Sequence, residues 1–264
     1  MAIAVMQSTK SRDLAPKRLE QLREILGQDR VVRVEELTQQ LGVSSATIRR
    51  DLGELEKLGE LRRVYGGAVS TGGRLDEPLF DDKTSVAAAE KRRIAEAALN
   101  YIKPNETIYL DGGSTVLELA RLLKDRSNIT VVTNSLRAAV ELAGRGPRLI
   151  LVGGELRRLA QTTVGPLTRF MVQELHVDMA FMGTIGLSLD EGITTTDPTE
   201  AYTKELVMEH AREVILLADS TKAHKISFTR AGRLEKVRVL ITDKQFDRKL
   251  SKDLRTKGME VVFA

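Results

Sequence analysis

With 264 residues and 42% hydrophobic content, the chain is long enough for one large and one small domain and can bury a sizeable core. It contains no cysteine, which excludes a disulfide framework, thiolate metal sites and cysteine nucleophiles and fits a reducing compartment; no tryptophan and 4% aromatic content argue against a base-stacking surface for single strands. The net charge of +4 is too small to speak for nucleic acid by itself, but it is uneven: residues 1–75 hold 13 Lys or Arg against 10 Asp or Glu, and residues 76–264 hold 28 against 27.

In chain order, residues 1–15 read as a disordered tail. The opening MAIAVMQSTKSRD is too short and too weakly apolar for a secretory core, and no run reaches the length of a membrane span, so a soluble, cytoplasmic protein is expected. Pro16 starts a helix whose apolar stripe is Leu19, Leu22, Ile25 and Leu26, ended by Gly27; Val34, Leu37 and Leu41 repeat that spacing up to Gly42. A third helix opens at Ser44, a good N-cap, and runs through Ile48, Leu52, Leu55 and Leu58 to Gly59, joined to the second by a tight Gly42-Val43 turn. At ~100° per residue Ile48, Leu52 and Leu55 point one way, leaving Ala46, Thr47, Arg49 and Arg50 on the remaining surface.

Small, hydroxylated and then doubly basic residues at the start of a helix suit the DNA major groove, because small side chains permit close approach and guanidinium groups reach guanine edges or phosphates. Leu61-Arg62-Arg63-Val64-Tyr65-Gly66-Gly67-Ala68 then reads as a β-hairpin wing, with Arg62 and Arg63 expected on flanking phosphates. Residues 16–70 are therefore read as a winged helix-turn-helix that binds double-stranded DNA through Ser44, Ser45, Thr47, Arg49, Arg50, Arg62 and Arg63.

The string Ser45-Ala46-Thr47-Ile48-Arg49-Arg50-Asp51-Leu52, within ELTQQLGVSSATIRRDLGELEKLGELRRVYGGAV, resembles the helix-turn-helix of the DeoR (deoxyribose operon repressor) family. The resemblance implies DNA contacts by Thr47, Arg49 and Arg50, and a structural pairing of Asp51 with a neighbouring Arg. Where the family often has His before the wing's Gly-Gly-Ala, this chain has Tyr65.

Residues 71–86, with Gly72-Gly73 and Pro78 as breakers, read as a linker. From Ala87 a helix carries Lys91, Arg92 and Arg93, expected as an exposed face, beside Ile94, Ala98 and Tyr101. After Pro104 short apolar runs alternate with helical ones: Thr107–Leu110, Ile129–Val132, Leu149–Val152, Met179–Met182, Val214–Ala218, Val237–Ile241 and Val261–Phe263. Continuous apolar strands separated by helices predict an α/β domain over residues 87–264, with a mostly parallel sheet covered on both sides.

Five of these strands are followed by small, polar or charged residues: Asp111-Gly112-Gly113-Ser114-Thr115, Thr133-Asn134-Ser135, Gly153-Gly154-Glu155, Gly183-Thr184 and Asp219-Ser220-Thr221-Lys222. In a parallel sheet those ends share one edge, where ligands bind. Glycine and hydroxyl loops opening into helices offer free N–H groups to a phosphate. Asp111, Asn134 and Glu200 suit sugar hydroxyls, and Lys204 or Lys222 supplies positive charge.

Here LDGGST, VVTNS, LVGGEL, VGP and the FMGTIGLSLDEGITTTDPTEAYTKELVMEHAREVILLADSTKAH segment again resemble the DeoR family, over about residues 16–262. The family's sensor domain is similar to ribose-5-phosphate isomerase. By that resemblance Asp111, Gly113, Ser114 and Thr115 hold a phosphate, and Asn134, Gly154, Glu200, Lys204, Asp219 and Lys222 surround a sugar. The family commonly reads Ser-Gly-Thr-Thr after that Asp, where this chain has Gly-Gly-Ser-Thr.

The expected function is a repressor of a carbohydrate-metabolism operon, acting as a homo-oligomer and responding to a phosphorylated sugar. The alternative is a sugar-phosphate isomerase-like enzyme with an appended DNA-binding head; a third reading leaves the large domain only to oligomerise. No cofactor and no catalytic residue are expected. His176, His210 and His224 lack ligand-like spacing, so no metal is expected either.

Overall fold

The computed structural model describes residues 14–28, 31–58, 60–64, 66–70 and 80–264. The chain divides into two compact units, Met1–Asp76 and Glu77–Ala264. Most of the expected tail, Tyr65, and residues 71–79 of the expected linker lie outside the described residues, as do the side chains of Arg62, Val64 and Leu14–Lys17.

In the first unit, α1 (Leu14–Gln28), β1 (Val31–Arg33), α2 (Val34–Leu41) and α3 (Ser45–Lys57) precede β2 (Leu61–Val64) and β3 (Gly67–Ser70). The strands form an antiparallel sheet in the order β1-β3-β2. The apolar stripes read from the sequence meet in one core of Leu22, Leu26, Leu37, Ile48, Leu52 and Leu55, closed by Val32, Leu61 and Ala68 from the strands. Gly42 ends α2 at φ +64°, a left-handed conformation that favours glycine, and donates its N–H to Thr38 O at 3.1 Å. Asp51 is buried and takes a two-pronged bond from Arg18, with Nε–Oδ2 at 2.5 Å and Nη2–Oδ1 at 3.1 Å, locking α1 onto α3.

The second unit begins with α4 (Phe80–Ser85) and α5 (Ala88–Ala98), then β4 (Thr107–Leu110), α6 (Ser114–Leu123), β5 (Thr130–Thr133), α7 (Leu136–Leu142) and β6 (Arg148–Leu151). A hairpin of β7 (Glu155–Arg157) and β8 (Thr162–Val164) leads to α8 (Pro166–Gln173) and β9 (Val177–Met182). β10 (Gly186–Ser188), β11 (Gly192–Thr195), α9 (Pro198–His210), β12 (Ala211–Leu217), β13 (Thr229–Gly232), β14 (Val239–Thr242), α10 (Arg248–Thr256) and β15 (Glu260–Phe263) complete it.

All seven strands read from the sequence join one parallel sheet, in the order β15-β14-β12-β9-β4-β5-β6. Alternate residues feed two cores on its opposite faces. Ile108 and Leu110 of β4 enter the core beneath α5, α6 and α7, while Tyr109 enters the core beneath α8, α9 and α10. Among the described residues no helix is long and apolar enough to cross a membrane.

Three differences from the sequence reading matter for the site. The β7–β8 hairpin and a second antiparallel sheet, β10-β11-β13, are additional. Helix α4 occupies positions read as linker and belongs to the second unit. Lys91, expected on an exposed face with Arg92 and Arg93, is 2% exposed: its ammonium bonds the carbonyls of Lys83 and Val86 at 2.5 and 2.7 Å, closing the α4–α5 turn.

Candidate functional site

Helix α3 carries the surface suited to DNA. Ser44 caps it, accepting the Thr47 N–H at 3.3 Å, with the two hydroxyls 3.0 Å apart. Ile48, Asp51, Leu52 and Leu55 are buried, which leaves Ser44, Ser45, Ala46, Arg49 and Arg50 exposed and Thr47 half-buried. Neither Arg49 nor Arg50 makes an ion pair among the described residues, so both guanidinium groups are available to an anionic partner. Arg63 is differently placed. Its Nε and its backbone N–H both bond Glu56 at 2.9 Å, tying the wing strand β2 to α3.

The second candidate site lies where the sheet changes direction. From β4 the chain adds β5 and β6 on one side, then crosses to β9 and adds β12, β14 and β15 on the other. The loops following β4 and β9 therefore diverge, leaving a crevice at their carboxyl ends. Asp111 follows β4 directly and Gly183 follows β9; the Gly183 N–H donates to Asp111 Oδ2 at 2.9 Å. Lys204 of α9 bonds the same carboxylate oxygen, reaches Gly183 O at 3.3 Å and lies 3.5 Å from Glu200 Oε1.

Arg157, from β7, then bonds Glu200 Oε2 at 2.9 Å and Thr196 Oγ1 at 3.1 Å, with its Nε 3.5 Å from Asp197. Asp197 caps α9 by accepting the Glu200 N–H at 2.9 Å. The result is a row of alternating charges: Asp111, Lys204, Glu200, Arg157, Asp197. Burial disfavours the Lys204 ammonium, but Asp111 and Glu200 outweigh it and hold its pKa above the ordinary lysine value. Lys204 thus stays a cation.

Above this floor α6 begins. Gly113 adopts φ +130°, a conformation that favours glycine, and no side chain caps the helix, so its first N–H groups open onto the crevice. The cleft is lined here by Gly113, Ser114 and Thr115 and on other sides by Lys83, Thr184 and Lys222. The Lys222 loop is held by Asp219, which accepts the Thr221 N–H at 3.0 Å, and by Asp243, which accepts the Ser220 N–H at 2.6 Å.

Burial lowers the pKa of Lys222 against the attraction of Asp219, and the neighbouring cations Lys225 and Lys83 lower it further. Lys91 behind them is pushed down to about 8, first by burial, with Lys222 and Lys83 adding to the effect. Lys83 and Lys222 thus bring two amines to the lining of the cleft, beside an uncapped helix N-terminus.

Of the ligand residues read from the sequence, Gly113, Ser114, Thr115, Glu200, Lys204 and Lys222 line the cleft, and Asp111 lies beneath, paired to Lys204. Three others do not line it. Asn134 is buried and donates to Thr163 O at 3.0 Å, pinning the hairpin; Gly154 is pressed against Thr168, leaving no room for a Cβ; Asp219 orders the Lys222 loop.

Sequence reasoning missed Lys83, placed in a presumed linker, and Arg157, whose partner lies 43 positions away. The Gly-Gly pair after Asp111 carried a signal: a Cβ at Gly112 would come within 2.2 Å of the Thr162 methyl, so the hairpin packs directly on this loop. His176 and His210 stack edge to face with ring centroids 5.6 Å apart, and His224 lies 3.4 Å from Asp247. No group of three or more His, Cys, Asp or Glu placed to hold a metal occurs among the described residues.

Family models match this chain twice, as a DeoR-like helix-turn-helix domain over residues 18–72 and as a DeoR C terminal sensor domain over residues 86–244. The HTH-type transcriptional regulator GlpR of Haloferax volcanii is 37% identical, covering 87% of this chain and 90% of its own. The lactose phosphotransferase system repressor of Streptococcus mutans is 35% identical, over 89% and 95%. Among solved structures, ribose 5-phosphate isomerase A from Methanocaldococcus jannaschii superposes with a TM-score of 0.40 at 19% identity, over 52% of this chain and 55% of that one.

Proposed function

The chain belongs to the DeoR family of transcriptional regulators, and from that premise we propose that it represses a carbohydrate-metabolism operon under the control of a phosphorylated sugar bound in the second unit. In this reading Thr47, Arg49 and Arg50 of α3 enter the major groove, with Ser44 and Ser45 close to the backbone. Arg62 and Arg63 flank them from the wing, although the Glu56 contact makes Arg63 as much a clasp as a phosphate ligand.

One observation carries the effector reading: an uncapped helix N-terminus at the switch point of a parallel sheet, between Lys83 and Lys222. The phosphate takes the N–H groups and hydroxyls of Ser114 and Thr115, and the two ammonium groups neutralise it. Glu200 and Thr184 are left facing the sugar hydroxyls. Asn134, Gly154 and Asp219 shape the cleft from behind.

Isomerase chemistry needs a carboxylate free to take a proton from a substrate carbon. Asp111 is held by Lys204 and the Gly183 N–H, and Glu200 by Arg157, so either would have to break its pair first. That favours sensing over catalysis. Two or more copies place paired heads on operator half-sites, and ligand controls repression only if it binds the DNA-competent and DNA-free arrangements with different affinities.

The test is a thermal-shift screen of the purified protein against sugar phosphates and the matching unphosphorylated sugars, followed by operator titration with each hit. One ester should raise the melting temperature, by about 2.7 kcal/mol of stabilisation at a hundredfold excess over Kd, and should change operator affinity. An ester that binds without altering DNA affinity would overturn the regulatory reading; no shift with any ester would overturn the ligand class.

A further inference from the structure

Strand β6 is one edge of the seven-stranded sheet, and its outer side is unusually open. Arg148 and Val152 direct their N–H groups to Ile129 O and Thr133 O on the β5 side, so by the two-residue period Leu149 and Leu151 turn theirs outward. Pro147, which has no N–H, bounds the strand at its start.

Both faces beside this edge are apolar and exposed. On one face α7, packed on β6, exposes Leu136 and Val140; on the other α8 exposes Leu167, Phe170 and Met171, with Met171 Sδ against the Gly153 N–H at 3.3 Å. Val140 is 69% exposed, Leu167 72% and Phe170 74%. Together these residues and Leu151 expose on the order of 600 Å² of side chain, close to the ~800 Å² each partner contributes to a standard interface and at the upper limit of patches on ordinary monomers. The opposite edge, β15, is guarded: Arg248 and Arg255 stand 4.3 and 5.6 Å from the Phe263 ring.

We propose that a second copy of this chain docks on β6, edge to edge and antiparallel about a two-fold axis through Ile150, joining two sheets into one of fourteen strands. In that register Leu149 of one protomer faces Leu151 of its partner, and each pair exchanges both outward N–H···O bonds. The exposed faces of α7 and α8 close against their counterparts on either side of the joined strands. The two-fold axis makes one self-complementary patch sufficient, which is the argument for a copy of the same chain over a different partner. The proposal rests on the reading that the protein acts as a homo-oligomer and names the surface that does it.

The absence of native cysteine allows a direct test. Ile150 meets itself across the axis as a non-hydrogen-bonded pair with Cα atoms ~4.5 Å apart, within disulfide range. Under mild oxidation Ile150→Cys should migrate as a covalent dimer, whereas Lys252→Cys on α10 should not. Phe170→Asp and Leu167→Lys, checked for native circular dichroism, should each halve the mass seen by sedimentation. A monomeric wild type would sink the oligomer reading and this surface together. An assembled wild type whose Ile150→Cys stays uncrosslinked, and whose mass neither α8 variant changes, would sink the surface alone.

Discussion

Arg49 and Arg50 reach solvent from a single helix whose geometry follows from its own sequence, whereas Asp111, Gly183, Glu200 and Lys204 meet only after a sheet has assembled around them. The first surface is local and its two charges make no ion pair among the described residues; the second is non-local and its charges are locked in a row. An unpaired surface guanidinium contributes to binding and little to folding. A buried charge in a row contributes to folding whether or not a ligand is present. The two regions should therefore respond to substitution in opposite ways.

The sharpest challenge to this contrast is Lys204→Met. It leaves Asp111 and Glu200 buried without their shared cation and is expected to cost about 3–5 kcal/mol of stability, read as a lower urea midpoint for the second unit. A loss under 1 kcal/mol would mean that the row of charges adds little and that the cleft is held by apolar packing alone.

Arg49→Ala and Arg50→Ala should behave in the reverse sense, with unfolding unchanged and operator affinity reduced by about 1–3 kcal/mol each. Titrations at several salt concentrations separate their roles. A residue on phosphate lowers the salt slope by about one and weakens all sequences equally, while one on a base edge relaxes specificity at one position.

An effect of comparable size, on the other ligand, is expected at Lys222. Lys222→Met should weaken a sugar phosphate by about 1.5–3 kcal/mol, the range of a hydrogen bond to a charged group, and leave DNA affinity without effector unchanged. Because burial lowers the Lys222 pKa, the ammonium that an anion needs is present below that lowered value and lost as pH rises through it. Wild-type affinity should thus fall on the alkaline side before an ordinary lysine would titrate, and calorimetry should find that fall flattened in the variant. An equally steep fall in the variant would assign the titration elsewhere.

The same contrast explains what the sequence revealed. The recognition helix was legible because Ser44, Ile48, Leu52 and Leu55 obey the helical period and Gly42 marks the turn before it. The seven sheet strands were legible because strands buried on both faces are continuously apolar, as in Met179-Ala180-Phe181-Met182. The β7–β8 hairpin and β10-β11-β13 are three- and four-residue strands rich in Thr, Gly, Ser, Glu and Arg, and such segments look like loop. Lys91 was misread because Glu90, Arg92 and Arg93 stand beside it in the sequence, and only the fold brings the carbonyls of Lys83 and Val86 onto its ammonium. Lys83 and Arg157 were missed for a related reason: a basic residue in a short surface-like stretch acquires a role only from its distant neighbours.

The switch point also sets an order in time. The first unit has its own core, drawn entirely from Leu22 to Ala68, and local contacts of that kind form quickly. The cleft must wait for β9 to insert beside β4, for α9 to deliver Glu200 and Lys204, and for the loop bearing Lys222, across more than a hundred positions of chain. On the ribosome, where domains fold as units from the N-terminus, the helix-turn-helix unit is expected to be complete before the strands of the second unit have paired. Each newly made molecule should then carry the exposed face of α3 before its cleft exists.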